Sequence, residues 1–154
     1  MFIKQLPLTV RASHKTDVRS QFAALCYRIV QNKPQVLLIT ARKSGRWIIP
    51  KGWPMDGMTP ARSAAQEAWE EAGVIGKAVD RCLGLYSYNK NHCTVGGMPC
   101  VAMVFPVRVK SLAQNFPERK QRRRRWFSPK KAASRVLEPE LARILRDFDP
   151  RILH

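Results

Sequence analysis

Three glutamates carry the strongest chemical signal in this 154-residue chain. Glu67, Glu70 and Glu71 stand at i, i+3 and i+4. A helix of about 3.6 residues per turn brings all three to one side. Like charges at that spacing repel by on the order of a few tenths of a kcal/mol. The chain has only 11 acids against 28 lysines and arginines, a formal charge of +17, yet it places three acids together. One reading is a solvated helix face. The other is a divalent-cation site. Hard cations such as Mg²⁺ prefer carboxylate oxygens and keep water positions that a phosphate oxygen can take. An ion held there would polarise a phosphoryl group and turn a coordinated water into a nucleophile.

The elements that must hold those acids can be read from local signals. Thr59 is suited to cap a helix and Pro60 to open one. Ala61 to Ala72 contains strong helix formers without Gly or Pro, and Gly73 suits the position just past a helix end. Residues 51–59, with Gly52, read as a Gly- and Pro-rich loop whose backbone can approach a metal or phosphate closely. Upstream, Phe22 to Val30 and Val36 to Thr40 read as a hairpin turning at Gln31 to Pro34. Trp47 to Ile49 reads as a short strand. Downstream, Leu83 to Tyr88 and Val101 to Val109 read as strands, and Pro106 predicts an edge or a bulge for the second. Arg125 to Phe127 predicts a short strand leading into a helix after Ser128-Pro129. Leu141, Ile144, Leu145 and Phe148 form an apolar stripe over 139–148. Strands on both sides of a central helix, with more helix at the end, predict a mixed sheet packed with helices.

Bulk features narrow the class. The length suits one domain, preceded by a basic arm over residues 1–18. No apolar run reaches the roughly 20 residues of a membrane helix, and no secretory signal is read, so a cytoplasmic protein without a membrane partner is expected. Cys26, Cys82, Cys93 and Cys100 are scattered, which predicts reduced thiols. His92, Cys93 and Cys100 offer only three ligands at a spacing unlike the usual zinc patterns. The charge attracts polyanions: phosphate-rich small molecules, nucleic acid or anionic surfaces.

Residues 52 to 74 resemble a Nudix box: Gly52, then Gln66-Glu67-Ala68-Trp69-Glu70-Glu71-Ala72-Gly73-Val74. Two positions depart from the pattern, Met58 where Glu is usual and Gln66 where Arg is usual. The losses are of opposite sign, so we expect these positions to support loop and helix rather than bind metal. Looser similarity at Leu25 to Arg28, Val36 to Leu38, Arg46 to Pro50 and Arg125 to Phe127 resembles the diphosphoinositol polyphosphate phosphohydrolase and dinucleoside polyphosphate hydrolase branch. The resemblance implies an α/β/α sandwich over 19–150, dependence on Mg²⁺ or Mn²⁺, and hydrolysis of a phosphoanhydride in a nucleoside diphosphate-X or polyphosphorylated small molecule. Alternatives are an RNA 5′-end pyrophosphohydrolase and a catalytically weak Nudix-fold RNA-binding module.

The resemblance also assigns roles. Glu67, Glu70 and Glu71 are the implied metal ligands, one of them orienting or deprotonating the attacking water. The Lys51 carbonyl joins the metal shell, while the Lys51 side chain and Gly52 meet phosphate. Arg28, Arg46 and Arg125 are the ranked phosphate contacts. Family members often recruit a later acid; Glu118 is the sole candidate between Asp80 and Glu138, and reads more simply as a surface acid balancing arginines. At most about half of Arg122 to Arg125 can face one ligand, because strand neighbours point to opposite sides. Trp53 is the stacking candidate, Trp47 and Trp126 read as core, and Trp69 is expected against the sheet.

Overall fold

A computed structural model describes residues 19–88 and 100–153. The basic arm over 1–18, and His92 and Cys93, lie outside the described residues.

The strand β1 (Arg19–Val30) sets up two layers by alternation. Ala23, Leu25 and Tyr27 enter one apolar cluster, and Phe22, Ala24 and Cys26 enter the other. The strand β2 (Lys33–Thr40) divides the same way, Val36 and Leu38 against Leu37 and Ile39. Both strands are buried on both faces, so they read as continuous apolar runs. The hairpin between them turns on Gln31 and Asn32 at φ 50° and 64°, as two-residue turns matched to strand twist require.

One face is covered by α1 (Pro60–Ala72), whose Ala61, Ala64, Ala68 and Ala72 form a flat inner stripe. The other is covered by α2 (Pro129–Arg135) and α3 (Pro139–Arg146) through Ala132, Leu141 and Leu145. The result is the expected α/β/α sandwich. The mixed sheet has eight strands in the order β3-β2-β1-β7-β5, with β4 added to β1, β6 to β7 and β8 to β2. Here β3 is Trp47–Ile48, β4 Lys51–Gly52, β5 Val74–Ala78, β6 Gly84–Tyr88, β7 Cys100–Leu112 and β8 Arg124–Phe127.

Three expectations are corrected. Lys51 and Gly52 are not loop; they pair with Ala23 and Phe22 as β4. The strand β7 is central rather than an edge: it runs parallel to β1 from Arg19↔Cys100 to Tyr27↔Arg108 and antiparallel to β5 and β6 on its other side. Pro106 is tolerated there because it faces the gap between β5 and β6, where its carbonyl accepts from Val79 N at 2.9 Å and no ladder needs its missing N–H. Cys100 is disulfide-bonded, whereas Cys26 and Cys82 are the free thiols among the described residues.

Candidate metal and phosphate site

The helix α1 is defined at both ends as its sequence predicts. Thr59 accepts from Arg62 N at 3.2 Å, Pro60 opens the first turn, and Gly73 closes it at φ 67°. That register turns Glu71 under the sheet, where it is buried, and leaves Glu67 and Glu70 half-buried beside it. Gly52 of β4 lies directly against Glu67. A Cβ built there would stand 2.1 Å from the Glu67 carboxyl carbon and from Oε1. Glycine is therefore what lets the carboxyl rest on the β4 backbone.

Glu67 and Glu71 come within hydrogen-bonding reach of each other, a contact that raises Glu67 and lowers Glu71. Burial, then that bond to Glu71, then the charges of Glu71, Glu70 and Glu118 push Glu67 up to about 8. Glu71 is also raised by burial, opposed by Arg122, by the bond from Glu67 and by Lys51. Two acids held together with poor hydration cannot both ionise without a cation between them.

A distant loop docks on the end of this helix. Glu118 N–H donates to the Glu70 carbonyl at 3.0 Å, and an Arg124 guanidinium N–H donates to the Ala72 carbonyl at 2.7 Å. These are carbonyls a helix leaves open at its C-terminal end. The loop is thus docked by α1 itself, and it carries the Glu118 carboxylate into the field of Glu67 and Glu71. Glu118 also pairs with Arg122 at 3.0 Å, so it does balance an arginine as the sequence suggests; the signal available for its place here was its isolation as the sole acid in a long basic stretch. Within the arginine run, Arg122 and Arg124 turn inward, while Arg123 and Arg125 stay exposed.

The expected phosphate contacts are not all brought together. Lys51 sits half-buried in β4, its Nζ 4.9 Å from the centre of the Tyr88 ring, and its charge acts on Glu71. Arg28 is engaged elsewhere: its Nε donates to its cross-strand partner Gln35 at 2.8 Å, and the guanidinium lies 4.1 Å over Trp126. Arg46 pairs with Glu138 at 3.0 Å, joining the approach to β3 to the start of α3. Arg125 lies over Phe127 at the sheet edge. Trp53 is 43% exposed, with Arg19 stacked 5.8 Å from its ring. Trp47 and Trp126 are partly buried against the two cores as expected, and Trp69 lines a groove between α1 and β5. Sequence reasoning missed Gln21, Tyr88 and Glu138. Each is buried with one oxygen lacking a protein partner, and Tyr88 is raised by burial, then by the charges of Glu71 and Glu138.

A Nudix domain profile matches residues 19–148. The chain belongs to the Nudix family. Nudix hydrolase 12, mitochondrial, of Arabidopsis thaliana is 33% identical over 122 residues, covering 76% of this chain and 59% of the relative. The Nudix chain therefore spans well under two thirds of that plant protein's length. Diphosphoinositol polyphosphate phosphohydrolase 3-alpha of Mus musculus is 30% identical over 129 residues, covering 81% of this chain and 73% of the relative. The crystal structure of a C. elegans Ap4A hydrolase binary complex superposes with a TM-score of 0.71 at 20% identity, covering 88% of this chain and 98% of that one. That likeness supports the fold. No helix among the described residues is long and apolar enough to cross a membrane.

The two departures from the Nudix box share one place. Met58 and Gln66 both line the open groove of about 500 Å³ between α1 and β5, with Arg62, Trp69 and Lys77. Gln66 lies about 100° around the helix from Glu67, so the changed positions face away from the acidic pair. As they stand, no three acidic, imidazole or thiolate side chains among the described residues converge closely enough to hold an ion. Glu67 and Glu71 do meet, and Glu70 stands beside them on the same helix. The donor set nevertheless fits a hard divalent cation: it is oxygen-only and crowded, with the Glu67 carboxyl resting on the β4 backbone and Glu71 buried.

Proposed function

We propose that this Nudix chain is a divalent-metal-dependent hydrolase of a phosphoanhydride bond in a phosphate-rich small molecule. The observation that carries the reading is the Glu67–Glu71 contact against Gly52, with Lys51 and Glu118 around it. Glu67, Glu70 and Glu71 would hold Mg²⁺ or Mn²⁺ with the Lys51 carbonyl. The ion would supply charge neutralisation and an activated water. The chain's own part is to orient the substrate. Lys51 offers an ammonium to the anhydride from its half-buried place in β4. The substrate class is a dinucleoside polyphosphate or an inositol pyrophosphate, in keeping with the names of the mouse relative and the nematode structure. No relative or structure named above is named for RNA, so the RNA 5′-end alternative gains nothing from them.

The test is product release with Mg²⁺ or Mn²⁺ across diadenosine tetraphosphate, an inositol pyrophosphate, nucleoside diphosphate sugars and a 5′-triphosphorylated RNA. Wild type is compared with Glu70→Gln and Glu71→Gln. Turnover of one small-molecule class, lost in both variants, is the expected result. Equal turnover in all three proteins rejects the metal role of these glutamates.

A further inference from the structure

Arg122 is the most fully engaged cation in the site, and nothing in its local sequence marks it among its neighbours. Its side chain is 8% exposed. The Nε donates to Glu118 Oε1 at 3.0 Å, one terminal nitrogen donates to the Thr40 carbonyl at 3.0 Å, and the other stands 3.4 Å from Glu71 Oε1. The guanidinium is therefore fixed on three sides: by the loop acid, by the end of β2 and by the buried helix acid. Arg123 N–H donating to Thr40 Oγ1 at 2.8 Å holds the backbone beside it.

We infer that Arg122 is a built-in counter-ion that competes with the divalent cation at Glu71 and thereby sets the metal affinity of the site. The inference rests on the proposed metal role of Glu67 and Glu71. A guanidinium in this place does two things. It sets a positive charge against the buried Glu71 carboxyl and the Glu118 carboxyl, so both are countered in a protein without a bound divalent ion. It also leaves a fixed positive charge within a few ångströms of any ion that reaches Glu71, and two cations at that range repel strongly in a poorly hydrated site. The site is tuned toward weaker resting occupancy, filled when a polyphosphate brings added negative charge.

The opposite reading makes Arg122 a loop anchor only. Its removal would then free Glu118 and weaken metal binding. The two differ in sign, which a Mn²⁺ titration followed by electron paramagnetic resonance reads without any substrate. Arg122→Gln is expected to bind Mn²⁺ at least tenfold more tightly than wild type. Arg122→Lys keeps the charge and is expected to stay within about threefold. Unchanged or weaker binding by a folded Arg122→Gln overturns the inference. A second measurement needs no variant of Arg122. In wild type, Mg²⁺ addition is expected to shift the Arg122 Nε–H resonance, and in Glu71→Gln it is not; no shift in wild type at saturating Mg²⁺ also overturns the inference. Equal Mn²⁺ affinity in wild type and Glu71→Gln would instead remove the proposed metal site itself, a failure distinct from that of the counter-ion.

Discussion

Gly52→Ala separates the site from the fold more cleanly than any change to the glutamates. The new methyl carbon would stand 2.1 Å from the Glu67 carboxyl carbon and Oε1 and 2.7 Å from its Cγ. Ordinary contact begins near 3.4 Å, so the carboxyl must retreat by at least about 1.3 Å, whereas metal ligands tolerate shifts of roughly 0.2 Å. The displaced atoms are the end of a flexible side chain and Gly52 is not in the left-handed region, so the backbone of β4 has no reason to move. A Gly-to-Ala change at a compatible position even stabilises by about 0.4–1 kcal/mol through the unfolded chain. The expected outcome is a melting temperature within a few degrees of wild type, together with Mn²⁺ affinity lower by about ten- to a hundredfold, ~1.4–2.8 kcal/mol. Calorimetric Mn²⁺ titration and a thermal melt on the same preparation measure both. Wild-type Mn²⁺ affinity in Gly52→Ala would show that the carboxyl resting on β4 is not a ligand, and the reasoning from that close approach would fail.

The pH dependence has a definite sign. Glu67 is raised from 4.5 to about 8 in the folded chain, so its contribution to stability is full below about 4.5 and is lost as pH rises through about 8. In metal-free buffer wild type should therefore lose melting temperature between pH 6 and 9 more steeply than Glu67→Gln; parallel curves would refute this. Mn²⁺ binding at pH 7 should release a proton, read with an indicator dye. Restoring Glu and Arg together at Met58 and Gln66 should add about 0.2–1 kcal/mol in urea unfolding, as exposed pairs do, and leave Mn²⁺ affinity unchanged; a changed affinity would place those positions in the metal site. Arg46→Ala should cost about 1–3 kcal/mol in the same assay, because it strands the buried Glu138 carboxylate; no loss would show that the pair is only incidental.

What the sequence revealed was local. The cap, stop and acid register of α1 depend on residues within one or two turns, and the hairpin on four residues, so composition and spacing sufficed. The failures are all matters of distance or shortness. The strand β4 has two residues, and β5 has five with only Val74 buried and an irregular register at Gly76, so neither carries a periodic signal. Pro106 argues against a central strand unless one knows that β5 ends and β6 begins just beside it. Glu118 and Arg122 reach Glu71 across some fifty residues of chain, and no rule of spacing predicts that meeting. The resemblance assigns Arg28 and Arg46 to phosphate, and no spacing rule announces their protein partners Gln35 and Glu138, which strand pairing and packing set.

The parallel ladder between β1 and β7 joins residues roughly eighty positions apart in nine consecutive pairs. Closing so long a loop costs entropy before any pair returns free energy. The acidic helix can form early from its own caps, but the strands that bury it cannot dock until the chain beyond residue 108 has emerged. Refolding should thus be slow for a domain of this length, and during synthesis the glutamates must wait, still bathed in water, for the second half of the molecule to arrive.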